Sequence, residues 1–365
     1  MKININLEII SVVLLPIGVY TIWSIIFYFY SPLIPVKDAF YYKMMSETPF
    51  NPSISAPYCY RILTPLIVFI LPFDSGSSFL YINFIFFILT SIIFYKFLKR
   101  LNFNKFYSFN GEIIFTAGNV TSIYLIHNFI MVDQLNQLIF LIGCYLLVFY
   151  NPDKRIYRDI LIIVILAIGV LNKETILLII PIYFVLESGN LFKKIFKTLL
   201  IATPSLGIFI VLRLFIPHTG SYEAIWLFYH LENLLSTLYN IFLTFGLFWI
   251  MAFFNFDNNI KFLQRSYWII PIFIGQIILA SNIYRLIFLS FPIVLPLALL
   301  EFKQISQKIN KVTITFILTS QITITIFYIL KKYLTWDFLN IFYFPLIAIS
   351  SLIVLVISAY FYFKE

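Results

Sequence analysis

Three carboxylates, three cations and one histidine stand at the edges of long apolar runs, in patterns that could do chemistry. Asp38 opens the stretch "DAFYY", and Tyr42, four residues on, shares its face on a helical turn. A carboxylate so placed can take a proton as a general base; a solvated acid at a helix end gives the same spacing. Asp133, in "HNFIMVDQLNQL", either caps the helix it opens or meets a substrate, because carboxylates at helix N-termini satisfy free amides. His127, in the same stretch, reads as a hydrogen-bonded interfacial histidine rather than a metal ligand, since no second His or Cys lies at ligand spacing. In "LAIGVLNKETILLIIPIYF" the triplet Asn172, Lys173 and Glu174 divides two apolar runs. Lys173 and Glu174 can neutralise each other, but a lysine at the break of paired helices is also placed to meet an anion, and that reading is favoured. Arg285 begins the apolar "YRLIFLSFPIVLPLALL", where snorkelling to headgroups is the plain alternative to a functional role.

The elements that must position these groups are membrane helices. With 61% hydrophobic and 11% charged residues over 365 positions, the polar surface is too small to cover a water-soluble globule. A bilayer core takes roughly 20 apolar residues per helix, and the chain offers about 12 such runs, with a range of 10 to 13. They lie near 9–30, 79–98, 112–128, 131–150, 159–172, 174–186, 197–216, 238–256, 267–282, 285–301, 312–330 and 339–362. The expected fold is an all-α polytopic bundle forming one integral membrane domain over 1–365, with no separate soluble domain. Residues 9–30 read as a retained first helix rather than a cleaved signal. A first outer loop, 31–78, carries an interfacial helix over 60–73, and the short pair 159–172 and 174–186 meets at a break. Cys59 and Cys144 are too far apart to suggest a disulfide framework or a zinc site.

Orientation follows from the basic residues. Alternate breaks carry Lys96, Lys99, Arg100 and Lys105; Lys154, Arg155 and Arg158; Lys193, Lys194 and Lys197; Lys261 and Arg265; and Lys303, Lys308 and Lys311. That pattern places both termini in the cytoplasm and accounts for most of the +9 net charge without nucleic acid. The other basic residues, among them Lys37, Lys43, Arg61, Lys173, Arg213 and Arg285, then fall on the outer side with Asp38, Asp133, Glu174 and His127. Ionisable groups at membrane depth are costly and are kept for substrates or ions, so the outer face is expected to carry the site.

In order and sidedness these pieces resemble the membrane glycosyltransferases of the GT-C superfamily, which includes protein O-mannosyltransferases and the aminoarabinose transferase of lipid A. There an Asp followed by Tyr stands in the loop after the first helix, as in "DAFYY". A later helix opening is similar to "MVDQL", a lysine stands at a short-helix break as in "LNKET", and an arginine leads a helix into proline as in "YRLIFLSFP". The resemblance spans residues 38 to about 300. It implies a GT-C-like bundle that moves a sugar from a polyprenyl-phosphate-linked donor to a glycan, lipid or other cell-envelope acceptor, at the outer face of a bacterial inner membrane. It implies Asp38 as the base, with Lys173, Arg285 and Arg61 on the donor phosphate and Tyr42, Asp133, Glu174 and His127 as further substrate-binding residues. Tyr41, Tyr42, Tyr58 and Tyr60 can stack on sugar faces. The partners expected are the lipid-linked donor, the acceptor and membrane lipids.

Two departures bear on this reading. Ala39 follows Asp38 where the mannosyltransferase motif has an acid, so neither a paired-carboxylate site nor a D-x-D metal motif is supported, and no metal or cofactor is assigned. No peptide-recognising module of the kind oligosaccharyltransferases carry is expected after the last helix. The nearest alternative is an O-antigen or capsular polysaccharide polymerase, against which the longest late outer loop, 217–237, is modest. A lipid-linked sugar transporter or flippase predicts repeated halves and ionisable residues at mid-membrane, and the sequence has neither.

Overall fold

Backbone amides in lipid must be satisfied within their own segment, and a chain of apolar runs meets that demand by coiling into helices. The computed structural model describes residues 7–30, 37–118, 121, 124–149, 155–219, 226–255, 259–279, 282–308, 320–321, 323–324 and 340–364. Among these the chain is all-helical. It runs through α1 (Leu7–Tyr30), α2 (Lys37–Glu47), α3 (Leu63–Ile70), α4 (Ser75–Arg100), α5 (Lys105–Thr116), α6 (Tyr124–His127) and α7 (Asp133–Phe149). It continues through α8 (Arg155–Asn172), α9 (Ile179–Leu186), α10 (Leu191–Phe215), α11 (Leu227–Glu232), α12 (Leu234–Phe245) and α13 (Leu247–Phe253). After α14 (Lys261–Ser266), α15 (Ile270–Gly275), α16 (Ile283–Ile287) and α17 (Phe291–Lys308), it closes on the helix Asn340–Lys364.

Four helical stretches among the described residues are long and apolar enough to cross a membrane: Glu8–Ile25, Ser75–Arg100, Leu191–Phe215 and Ile283–Lys308. The bent pair α12 and α13 makes a fifth if it counts as one span. These are the proportions of a membrane-embedded helical protein. Several other expected crossings are built from shorter pieces. The run 112–128 is divided between α5 and α6, and 267–282 is a relay of short turns around α15. The run 238–256 bends by 80° between α12 and α13. That bend sits at Gly246, with φ of +57°, where an added Cβ would collide with the Gln321 amide. The expected crossing at 312–330 lies mostly outside the described residues.

Burial ranks the spans. In Ile283–Lys308, 89% of the most apolar window is buried, against 17% in Glu8–Ile25 and 22% in Leu191–Phe215, so α16 and α17 form the axis while α1 and α10 lie outside. Around that axis Phe94, Phe115, Phe245, Phe288 and Phe291 pack ring against ring in stacked, tilted and edge-on pairs, with centroids 4.9 Å apart for Phe115 and Phe291. Such aromatic pairs contribute packing beyond their buried area.

The helices next to the expected site residues Asp133, Lys173 and Glu174 lie side by side. α7 starts at Asp133, α8 ends at Asn172, and the chain turns back through the 3-10 segment Glu174–Leu178 into α9. Gly169 makes the reversal possible, because an added Cβ would overlap the Ile176 side chain returning past it. At the far end Arg158 of α8 reaches Glu187 beyond α9, 3.0 Å away, so the two arms run side by side.

Candidate active site

Polar side chains placed inside apolar stretches hold the helix ends together, since a buried amide or hydroxyl must find a partner. The Asn83 amide of α4 donates to the Phe129 and Met131 carbonyls at 2.6 and 2.8 Å, fixing the strand of chain that enters α7. Asn172 donates to the Val132 carbonyl at 2.8 Å and accepts from the Thr64 hydroxyl of α3 at 2.6 Å. Asn136 donates to the Thr175 hydroxyl at 3.0 Å. These bonds bring the starts of α3, α7 and the 174–178 segment to one point.

There the charges meet. Arg285 of α16 donates to Asp38 at 2.7 Å through Nη1 and to one Asp133 oxygen at 2.5 Å through Nη2 and 3.1 Å through Nε. Lys173 donates to the other Asp133 oxygen at 2.7 Å. Arg61 forks onto Glu174, at 2.5 and 3.2 Å, and donates to the Tyr42 hydroxyl at 2.9 Å. The Tyr58 hydroxyl donates to the second Asp38 oxygen at 2.8 Å. Seven of the eight expected site residues, drawn from positions 38 to 285, thus share one cluster. His127 is buried on α6, six residues before Asp133.

Exposure separates the three acids. The Asp133 side chain is 4% exposed, with both oxygens bonded to cations, whereas Asp38 is 17% and Glu174 28% exposed. Burial alone would push the Asp38 carboxyl up, but the charge and hydrogen bond of Arg285 and the Tyr58 hydroxyl outweigh it and hold the group below its ordinary value. Asp38 is therefore ionised at neutral pH and able to accept a proton, while the arginine that keeps it ionised also weakens it as a base. Tyr58 is shifted the other way, by burial and by the Asp38 charge, so its hydroxyl stays a donor.

The cations are less free than their sequence positions suggest. Arg61, Lys173 and Arg285 each hold a carboxylate already, so a phosphate reaching them competes with an existing pair. Arg213, at the end of α10, has no carboxylate partner among the described residues. Its guanidinium lies 4.8 Å from the ring centre of Tyr60, whose hydroxyl is 3.3 Å from His218 Nδ1. The chain beyond α10 is tied to the first loop, as Thr219 bonds the Ser53 and Ile54 carbonyls and bridges Ser55. Arg213 carries no motif; its one signal in the sequence is its place on the outer side against the orientation rule. Thr64 and Asn83 gave a weaker signal still, as lone polar residues within apolar helices.

Among the described residues no group of three or more His, Cys, Asp or Glu side chains is arranged to hold a metal ion. No family model matches the chain, and no curated protein or solved structure matches it either.

Proposed function

We propose that the protein is a membrane glycosyltransferase of the GT-C type, moving a sugar from a polyprenyl-phosphate-linked donor to a hydroxyl of a glycan, lipid or other cell-envelope acceptor. The observation that carries this reading is Asp38, an ionised and partly exposed carboxylate oriented by Tyr58 and Arg285 at the edge of a cluster of cations. In the reaction the acceptor hydroxyl gives its proton to Asp38 while its oxygen bonds to the anomeric carbon. The bond from that carbon to the phosphate oxygen breaks, and its electron pair leaves with the lipid phosphate.

Charge balance assigns the supporting roles. Asp38, Asp133 and Glu174 offset Arg61, Lys173 and Arg285, and Arg213 adds one positive charge that no carboxylate cancels among the described residues. Arg213 can thus meet the incoming phosphate without breaking a pair. When Asp38 takes the proton, Arg285 loses a charged partner and becomes available to the leaving phosphate. Asp133, with both oxygens engaged and little exposure, holds Lys173 and Arg285 in position rather than acting as a base.

The reading includes an orientation, with the cluster on the outer face and both termini in the cytoplasm. A reporter fused after Lys105 is expected to be cytoplasmic and one inserted near Glu47 to be outside; a cytoplasmic Glu47 would place the site on the wrong face for an envelope acceptor. Activity is tested by giving the purified protein a labelled polyprenyl-phosphate sugar. Sugar is expected to leave the lipid only when an acceptor is present, and only if Asp38 is intact. Transfer at the wild-type rate by Asp38→Asn removes the proposed base. Transfer of a whole oligosaccharide, with single-sugar donors unused, points to a polymerase instead.

A further inference from the structure

The opposite ends of the same helices enclose a second charged region that the proposed reaction does not use. A cavity of about 460 Å³ lies among the end of α4, the end of α7, the starts of α8 and α14, and Glu187 beyond α9. That volume is within the roughly 300–1,000 Å³ usual for small-ligand sites. Arg100, Arg155, Arg158 and Lys261 line it, and Glu187 is the acid among its lining residues.

Glu187 is fully committed. It accepts from Arg158 at 3.0 Å and from Lys197 at 2.8 Å, and Arg158 is bonded to Asp159 as well, at 2.7 Å. Burial would raise the Glu187 carboxyl, but Lys197 and Arg158 outweigh that effect and hold it below its ordinary value. Arg100, Arg155 and Lys261 are left without a carboxylate partner among the described residues. All three are exposed, and all three face one cavity. Basic residues that serve only to orient a membrane protein need no common cavity. Part of this lining is apolar: Leu147, Val148, Phe149, Leu186, Ile260 and Phe262 stand beside the cations. Charge beside an apolar wall at a helix-bundle end suits an amphiphile with an anionic head.

We infer that this cavity binds the phosphate headgroup of an anionic phospholipid, with Arg100, Arg155 and Lys261 on the phosphate and the apolar wall against the start of the acyl chains. This site is independent of the proposed transfer reaction and lies on the opposite face of the bundle.

The test is native mass spectrometry of the purified full chain with phosphatidylglycerol or phosphatidylcholine added in detergent. Two triple variants are compared: Arg100→Gln, Arg155→Gln and Lys261→Gln in the cavity, and Lys96→Gln, Lys99→Gln and Lys193→Gln outside it. Each basic group near an anionic lipid contributes roughly fivefold, so the cavity triple is expected to lose phosphatidylglycerol by about tenfold or more, with the control near wild type. The altered residues are exposed, and a thermal melt of each triple confirms that it remains folded. Equal losses in both triples, or equal retention of phosphatidylcholine by the wild type, would overturn the site as a diffuse charge effect. Displacement of the lipid by millimolar inorganic phosphate would overturn the lipid as occupant in favour of a soluble phosphate.

Discussion

Two buried carboxylates, one at each end of the bundle, each bridge two cations, and their surroundings give the same bonds different consequences. Asp133 joins Lys173 and Arg285, whose side chains are 4% and 6% exposed. Glu187 joins Arg158 and Lys197, at 14% and 27% exposed. In the first group each charge depends on its partners, because water barely reaches it; in the second, solvent takes up part of the load. Ion pairs of the first kind are weak as sources of stability yet expensive to break, since removing one partner strands the other in a medium that cannot solvate it. Buried pairing of this sort fixes geometry, which is what the proposed transfer would require, while the looser end leaves cations available to whatever approaches.

The comparison is broken most severely at Asp38. Asp38→Asn is expected to lower turnover by about a hundred- to ten-thousandfold with the fold intact, the usual effect of removing a general base, whereas Glu47→Gln, in the exposed pair with Lys43, leaves the rate unchanged. A labelled-donor assay alongside a melting curve reads both, and equal rates for Asp38→Asn and the wild type would dissolve the distinction between this end and a purely structural one.

The two bridging acids provide the next test. Asp133→Asn leaves two buried cations short of a charge and is expected to cost about 3–5 kcal/mol of stability. Glu187→Gln, whose partners reach solvent, is expected to cost about 1 kcal/mol. Thermal or denaturant unfolding in detergent measures the contrast, and equal losses would mean that the exposure difference carries no energetic weight.

Arg213→Gln sharpens the role of a cation that has no carboxylate bonded to it among the described residues. Donor binding is expected to weaken by about ten- to a hundredfold, from loss of a charged hydrogen bond, with folding untouched. Titration of the protein with a polyprenyl phosphate shows this directly. Unchanged affinity would return the phosphate to the paired cations.

The smallest effect belongs to Tyr58→Phe. Asp38 is held below its ordinary value, so the acid limb of turnover is expected to lie to the acid side of a free carboxylate, and its contribution to stability is present above the unfolded value of about 3.9 and lost as pH falls through the lower folded value. Removing the Tyr58 hydroxyl takes away one donor and moves the limb upward. A pH–rate profile that stays fixed would assign the whole shift to Arg285.

The sequence by itself determined the class of the molecule and picked out the residue types of the candidate site. Hydrophobicity adds up locally, over windows of roughly 20 residues, so the spans Ser75–Arg100 and Ile283–Lys308, the break at Asn172 to Glu174 and the short helix in the first loop were legible without a structure. The charged residues at the ends of those runs stood out because such groups are expensive beside lipid. Partnership is a different kind of property. Whether Arg285 meets Asp38, 247 residues away, depends on which helix ends converge, and that was decided by the packing of α16 against its neighbours and by bonds such as Asn83 to the Phe129 carbonyl. Only the tertiary structure could pair three expected phosphate-binding cations with carboxylates while leaving Arg213 without one among the described residues. The physical reason is that burial turns on distances of a few ångströms between segments far apart in the chain, and it sets both the strength of a charge pair and the basicity of the carboxylate within it.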